Sequence, residues 1–354
     1  MSRSQLATKT QNFIEREELF TAKDRLLIAI SGGIDSVCLA FILKELGYDF
    51  DLIHFNFKLR GEASDGDQHF VERLAKRLGV SLRLQSSNAE EIEAMSTQSL
   101  QETARNLRYT FFAQTAQSGG YDYVITAHHL EDNLETTLMN LMRGTGINGL
   151  TGIPAKRDIY RRPFLEASRS EIEQYVAVNR ILWREDASNA SDNYRRNQLR
   201  HHVLPGLKSI DPYWSNQLIS TYQHLRSDQE LINYSLTNTF KDALNGDGDI
   251  VKSKLPVTSK IAEQLLKHNL TKYGFSGDQF RQMLTAKTGS EIHAESGGKY
   301  AKIQPDLLVL RDKKKTESPA SNPGRSNRKT LLINSTFATL KFSENQTLTV
   351  TEVP

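Results

Sequence analysis

The stretch "RLLIAISGGIDSVCLA", residues 25–40, constrains the fold more than any other part of the chain. Arg25 to Ile30 is a short, mostly apolar run, Val37 to Leu43 is another, and Ser31, Gly32, Gly33, Ile34, Asp35 and Ser36 stand between them. The outline predicts a buried strand, a tight glycine turn and a helix, with Gly47 past the helix end. A helix N-terminus offers unpaired N–H groups and the positive end of the helix dipole, so it suits an anion. Glycines let the backbone close around a phosphate without side chains in the way. Ser31 and Ser36 can add hydroxyl donors. Asp35 is the odd member, because a carboxylate repels phosphate; a magnesium ion between them removes the conflict.

Two commoner phosphate motifs do not fit. The Walker pattern requires a Lys followed by Ser or Thr after its last glycine, whereas Gly33 is followed by Ile34 and Asp35. The dinucleotide fingerprint requires three spaced glycines, and only two adjacent ones are present.

The chain has 354 residues, enough for two or three domains. No apolar run approaches membrane-spanning length, and the first twenty residues lack a signal-peptide core, so no membrane partner and a cytoplasmic location are expected. The net charge of +3 makes only a weak case for a nucleic-acid partner, which must rest on local basic clusters. Cys38 is the single cysteine, which excludes an internal disulfide and an all-cysteine metal site within one chain.

Along the chain, an amphipathic helix is expected within residues 1–24. Strands at residues 25–30, 50–57, 80–85 and 121–127 alternate with helices, one of them led by Ser64 and Asp67 in the manner of a capping box. This pattern predicts an α/β fold, a doubly wound parallel sheet over residues 25–212. Ligands of such sheets sit at the carboxyl ends of the strands, so the loops after Ile30, His54 and Ala127 should converge. A later helix is expected behind Ser168 and Glu171. Apolar residues from Leu218 to Leu244 follow the helical period, and residues 213–311 read as a smaller, mainly helical domain with short strands at its end. Residues 312–329 read as a linker and 330–354 as a short β-rich region.

Asp132 and Glu135 in "TAHHLEDNLET" share a helix face near the phosphate loop, where a second acid can complete a magnesium site with Asp35. Adjacent His128 and His129 do not have zinc spacing and read as structural or substrate-positioning. "QETARNLRYTFF" steps Glu102, Arg105 and Arg108 along one helix, where arginines near a polyphosphate make bidentate contacts. "YRRNQLRHH" holds Arg195, Arg196 and Arg200, and "FKLRGE" holds Lys58 and Arg60; two basic loops at one sheet edge suit a polyanion. Phe57, Trp183 and Tyr194 can stack bases beside them.

"SGGIDS" resembles the pyrophosphate loop of the N-type ATP pyrophosphatases, the PP-loop superfamily with its adenine nucleotide α-hydrolase-like fold. "FNFKLRGEASDGD", "QETARNLRY", "TAHHLEDNLET", "MRGTGINGLTGI", "RRPFL", "WREDASN" and "YRRNQLR" follow in the order found in bacterial tRNA(Ile)-lysidine synthetases. The resemblance runs from about Arg25 to about Pro205 and continues more loosely through the helical domain. It implies that ATP and magnesium activate C2 of the wobble cytidine in a CAU-anticodon isoleucine tRNA. Pyrophosphate leaves, the amine of free lysine attacks, and AMP departs. It further implies that Ser31 to Ser36 cradle the phosphates and that Asp35 holds magnesium with Asp132 or Glu135. Either of those acids can instead orient the lysine ammonium or take its proton. Arg105 and Arg143 would stabilise transition-state charge, and Lys58, Arg60, Arg108, Arg195, Arg196 and Arg200 would contact tRNA. A homodimer is among the states open to such a chain. The "GDRxxPLG"-like segment of long members has no counterpart here. The rival readings are a tRNA thiolase, which commonly shows paired cysteines, and a non-catalytic RNA-binding relative.

Overall fold

A computed structural model describes residues 4–58, 62–87, 100–185, 195–211, 213–256 and 258–312. Arg60, Tyr194 and the expected linker and β-rich region beyond residue 312 lie outside these residues. Two compact units divide at Thr239 and Phe240.

In the first unit, α1 (Gln5–Arg16) leads to β1 (Leu26–Ala29), α2 (Ile34–Glu45) and β2 (Phe50–Asn56). Then come α3 (Glu62–Leu78), β3 (Leu82–Ser86), α4 (Leu100–Gly119) and β4 (Tyr123–Ile125). After them follow α5 (Leu130–Met142), the single turn α6 (Ile147–Leu150), β5 (Lys156–Arg157), β6 (Tyr160–Arg161) and α7 (Arg169–Val178). The sheet order is β3-β2-β1-β4-β6-β5, parallel except for the β5–β6 edge pair.

Alternation along β1 explains why the sheet is covered twice. Leu26 and Ile28 point into a core shared with α1, α2 and α7, while Leu27 joins Ile53, Phe112 and Val124 on the other face. The helix α2 is apolar nearly all round and buried from Val37 to Ala40, as a helix between two layers must be. The chain runs β1, β2, β3 to one side and then returns to β4 on the other, which makes the gap between β1 and β4 the topological switch point.

Local signals hold at α7. Ser168 Oγ accepts from Glu171 N, and Ser168 N donates to Glu171 Oε2 at 2.7 Å, the expected reciprocal cap. At α3 they do not. The chain is already helical at Glu62, so Ser64 and Asp67 lie inside the helix, and the Asp67 carboxylate accepts from Arg184 Nε instead.

Beyond α7 stand a short α8 (Arg195–Gln198), a π-helical turn over Leu199–Val203, α9 (Leu204–Ile210) and the long α10 (Trp214–Asp242). A boundary expected at residue 213 falls instead near the end of α10. Tyr222 is buried with its hydroxyl 2.7 Å from Thr137 Oγ1, and Gln229 Nε2 donates to Asn148 Oδ1, so most of this helix belongs to the first unit.

The second unit contains β7 (Ile250–Val251), α11 (Ser259–Leu270), α12 (Gln279–Thr285), β8 (Glu291–His293), β9 (Lys299–Ile303) and β10 (Leu307–Asp312). Its antiparallel sheet has the order β7-β10-β9-β8, and Leu265, Leu266, Phe275, Phe280 and Met283 are buried. No helix among the described residues is long and apolar enough to cross a membrane.

Gly152 shows how tightly α5 is held. Its φ is +71°, and a Cβ there would stand 2.1 Å from Asn133 Oδ1, the buried acceptor of Ile153 N. Gly152→Ala is expected to lower unfolding free energy by about 2–4 kcal/mol, from left-handed strain and the displaced hydrogen bond. Urea denaturation with an unchanged m-value and a lowered midpoint checks this.

Candidate active site

The loops after β1, β2 and β4 converge on one cleft of about 890 Å³ at the carboxyl ends of the strands. Its lining runs through Ile30, Ser31, Gly33, Ile34, Asp35 and Ser36, then His54 to Phe57, then Thr126 to His128 and Asp132. Gly32 takes φ +91°, a left-handed turn that an L side chain rarely adopts. The two serines close the turn on itself: Ser36 Oγ donates to Gly33 O at 3.0 Å and accepts from Ser31 N, while Ser31 Oγ accepts from Gly33 N. The turn is thus preshaped, with the first-turn amides of α2 left to face a ligand.

Asp35 projects from α2 into the cleft and accepts from Arg169 Nη1 at 2.8 Å. His129 caps α5 and stands among three carboxylates. Its Nδ1 is 3.0 Å from Glu131 Oε2, and its Nε2 is 3.6 Å from Asp132 Oδ2 and 3.9 Å from Asp35 Oδ1. Burial opposes a charge on His129, yet Asp132, Glu131 and Asp35 together raise its pKa to about 9. Asp132 is driven well below the usual carboxylate range: burial opposes this, and His129 and Arg196 outweigh it. Glu131, buried but paired with His129 and Lys208, falls to about 2. Asp35 moves the other way, because its burial exceeds the help of His129 and Arg169. His128, half-buried and bonded through Nδ1 with Thr126 Oγ1 at 3.0 Å, is pushed by burial down to about 4 and stays neutral.

Glu135, fully buried on the next turn of α5, accepts from Arg196 Nε at 2.5 Å and from Arg200 Nε at 2.7 Å. The same two guanidiniums reach Asp132 Oδ1 at 3.0 and 3.2 Å. Arg196 and Arg200, expected at a tRNA backbone, are therefore engaged with the very acids expected at magnesium or lysine. The π turn begins at Leu199, between these two arginines. Arg195 is exposed beside them, as is Lys58 on the loop after β2.

Arg105 and Arg108 line the cleft from α4, with Arg105 over the Tyr109 ring and Arg108 over Phe57. Arg143 does not join them. It is the exposed C-cap of α5, about 17 Å along the helix from the first-turn acids. Among the described residues, no group of three or more His, Cys, Asp or Glu side chains is placed to hold a metal ion. Asp35 and Asp132 are nonetheless hard oxygen donors that line the cleft within 3.9 Å of one nitrogen. Two carboxylates fit magnesium when phosphate oxygens and water complete its shell.

Arg169 and Arg184 also line this cleft, and single-residue inspection passes over both. The signal for Arg169 was present: a cap at Ser168 after the short strand puts Arg169 in a helical first turn at the active edge of the sheet.

A family model for the PP-loop domain matches residues 2–207. A curated tRNA(Ile)-lysidine synthase of Porphyromonas gingivalis strain W83 is 39% identical over 283 residues, 79% of this chain and 62% of the relative. One from Bacteroides thetaiotaomicron is 32% identical, over 85% of this chain and 68% of the relative. This chain thus spans about two thirds of the length of these relatives. Among solved structures, the U34-tRNA thiolase NcsA of Methanococcus maripaludis aligns with a TM-score of 0.50 at 16% identity, over 62% of this chain and 77% of that one, a likeness of fold. The chain belongs to the PP-loop domain family, in the group whose curated members are named tRNA(Ile)-lysidine synthase.

Proposed function

We propose that this protein adenylates the C2 oxygen of the wobble cytidine in a CAU-anticodon tRNA(Ile) and then joins free lysine to that carbon. On this reading ATP and tRNA meet in the cytoplasm, and pyrophosphate and AMP are released. The observation that carries the proposal is that a preshaped phosphate turn, the half-buried acids Asp35 and Asp132 and the cations Arg105 and Arg108 all face one cleft.

The β- and γ-phosphates rest on the amides of the turn at Ser31 to Ser36, where the dipole of α2 favours them. Magnesium, held by Asp35 and Asp132, would neutralise phosphate charge there. Arg105 meets the negative charge that develops at the α-phosphate as the cytidine oxygen attacks. Asp132 serves the second half-reaction as an anchor for the lysine ammonium. Its depressed pKa makes it a poor proton acceptor and a durable negative charge. Glu135, roofed by Arg196 and Arg200, fixes those arginines and has no open face of its own. Lys58, Arg108 and Arg195 are the basic groups assigned to tRNA phosphates. Against a thiolase, Cys38 is buried in α2 and burial pushes its thiol up, so it offers no thiolate for sulfur transfer.

The test supplies isoleucine tRNA transcript, ATP and labelled lysine. Label is expected in the tRNA only when its wobble base is C; label independent of that base, or none, refutes the proposal. Asp35→Ala is expected to abolish pyrophosphate release while leaving circular dichroism and melting close to wild type, and undiminished lysine-dependent turnover would remove the metal role.

The imidazolium of His129 gives a further expectation. Its folded pKa of about 9 exceeds the ordinary 6.5, so its stabilising effect is complete below pH 6.5 and is lost as pH rises through 9. Without nucleotide, wild-type stability should fall by about 3 kcal/mol across that window. His129→Gln should flatten the fall in denaturant midpoints measured at each pH.

A further inference from the structure

The phosphate turn has a deficit of positive side chains. No basic residue occurs from Ile30 to Leu43, and the Lys of a Walker loop is missing. A departing pyrophosphate nevertheless concentrates negative charge where the turn holds it. The nearest remedy comes from 134 residues downstream. Arg169, the first residue of α7, lines the cleft and donates from Nη1 to Asp35 Oδ1, on the turn itself.

Its backbone and its Nε are fixed from behind. Arg169 N donates to Glu131 Oε2 at 2.9 Å, Nε donates to Glu173 Oε1 at 2.8 Å, and the Ser168–Glu171 cap sets the helical first turn. Its side chain remains one-third exposed, so the guanidinium end is accessible to a ligand in the cleft. Arg184 also approaches the turn, through its N–H to Gly32 O at 3.0 Å, but its guanidinium is engaged by Asp67. Arg105 and Arg108 belong to α4 and make no contact with the turn among the bonds and ion pairs of the described residues.

We propose that Arg169 is the leaving-group residue of the adenylation step, the cation that receives pyrophosphate; this rests on the adenylation reading above. With ATP in place, its N–H donors turn from Asp35 to the β- and γ-phosphate oxygens. The cytidine oxygen forms its bond to the α-phosphorus as the bond from that phosphorus to the bridging oxygen breaks. The electron pair stays on pyrophosphate, and Arg169 holds that charge by hydrogen bonds without giving up a proton.

The test titrates inorganic pyrophosphate with magnesium, and separately AMP, into wild-type and variant full-length protein by calorimetry. Arg169→Ala should weaken pyrophosphate binding ~10–100-fold, the loss expected for charge-assisted hydrogen bonds, and leave AMP binding within ~2-fold. Arg169→Lys, which keeps the charge without the fork, should fall between, and Arg169→Gln gives the same reading should the alanine variant fail to fold. Unchanged pyrophosphate affinity in these variants overturns the assignment. Equal loss of pyrophosphate and AMP at a preserved melting temperature also overturns it, since that marks a structural role. Wild-type protein that binds no pyrophosphate overturns the adenylation reading itself, a failure visible before any variant is made.

Discussion

The acidic side of the cleft depends on a buried imidazolium. Asp35 comes from the first turn of α2, and Glu131 and Asp132 from the first turn of α5; three carboxylates crowded into a partly buried site would not tolerate one another unassisted. His129 stands between them, and the remaining charge is met from further along the chain by Arg169, Arg196, Arg200 and Lys208. Glu131 alone joins His129, the main chain at Arg169 and the Lys208 ammonium. Through these bonds the phosphate turn, α5, α7 and α9 are fixed to one another by electrostatics as well as by packing. The acids are therefore held in place before any substrate arrives, which is the condition under which buried charge acts most strongly on a reaction.

What the sequence made legible was local. The strand, turn and helix of residues 25–45 announce themselves because two apolar runs flank a glycine pair, and the Ser168–Glu171 cap is visible because its partners are three residues apart. The destination of the basic run at Arg195 to Arg200 was not legible. A cluster of arginines beside histidines reads as a surface for a polyanion, and nothing local tells that two of them turn onto acids more than sixty residues upstream. The same limit explains α3, where Asp67 looks like a cap but is claimed by Arg184 across 117 residues. It also explains α10, whose continuous helical period conceals that Tyr222 and Gln229 tie most of it to the first unit. Periodicity reports which face is apolar, and only tertiary contact decides what that face meets.

The two sides of the cleft differ in how their charges are settled. Asp35, Glu131, Asp132 and Glu135 each have a basic partner within the protein. Arg105 and Arg108, which line the cleft, have no carboxylate partner among the described residues, and burial lowers the pKa of Arg108. Guanidinium groups that line a cleft without a counter-ion are open to an anion supplied from outside.

That asymmetry separates the proposed reaction from simple RNA binding. A surface that only gripped a phosphate backbone would gain from the arginines and lose from Asp35 and Asp132, which repel the same phosphates. Retaining both signs in one cleft makes sense when both signs are handled in sequence. In the proposed reaction the polyanions ATP and tRNA enter against the arginines. On that proposal the durable negative charge at Asp132 draws the lysine ammonium to the activated carbon, and the amine, having given up a proton to water, displaces AMP.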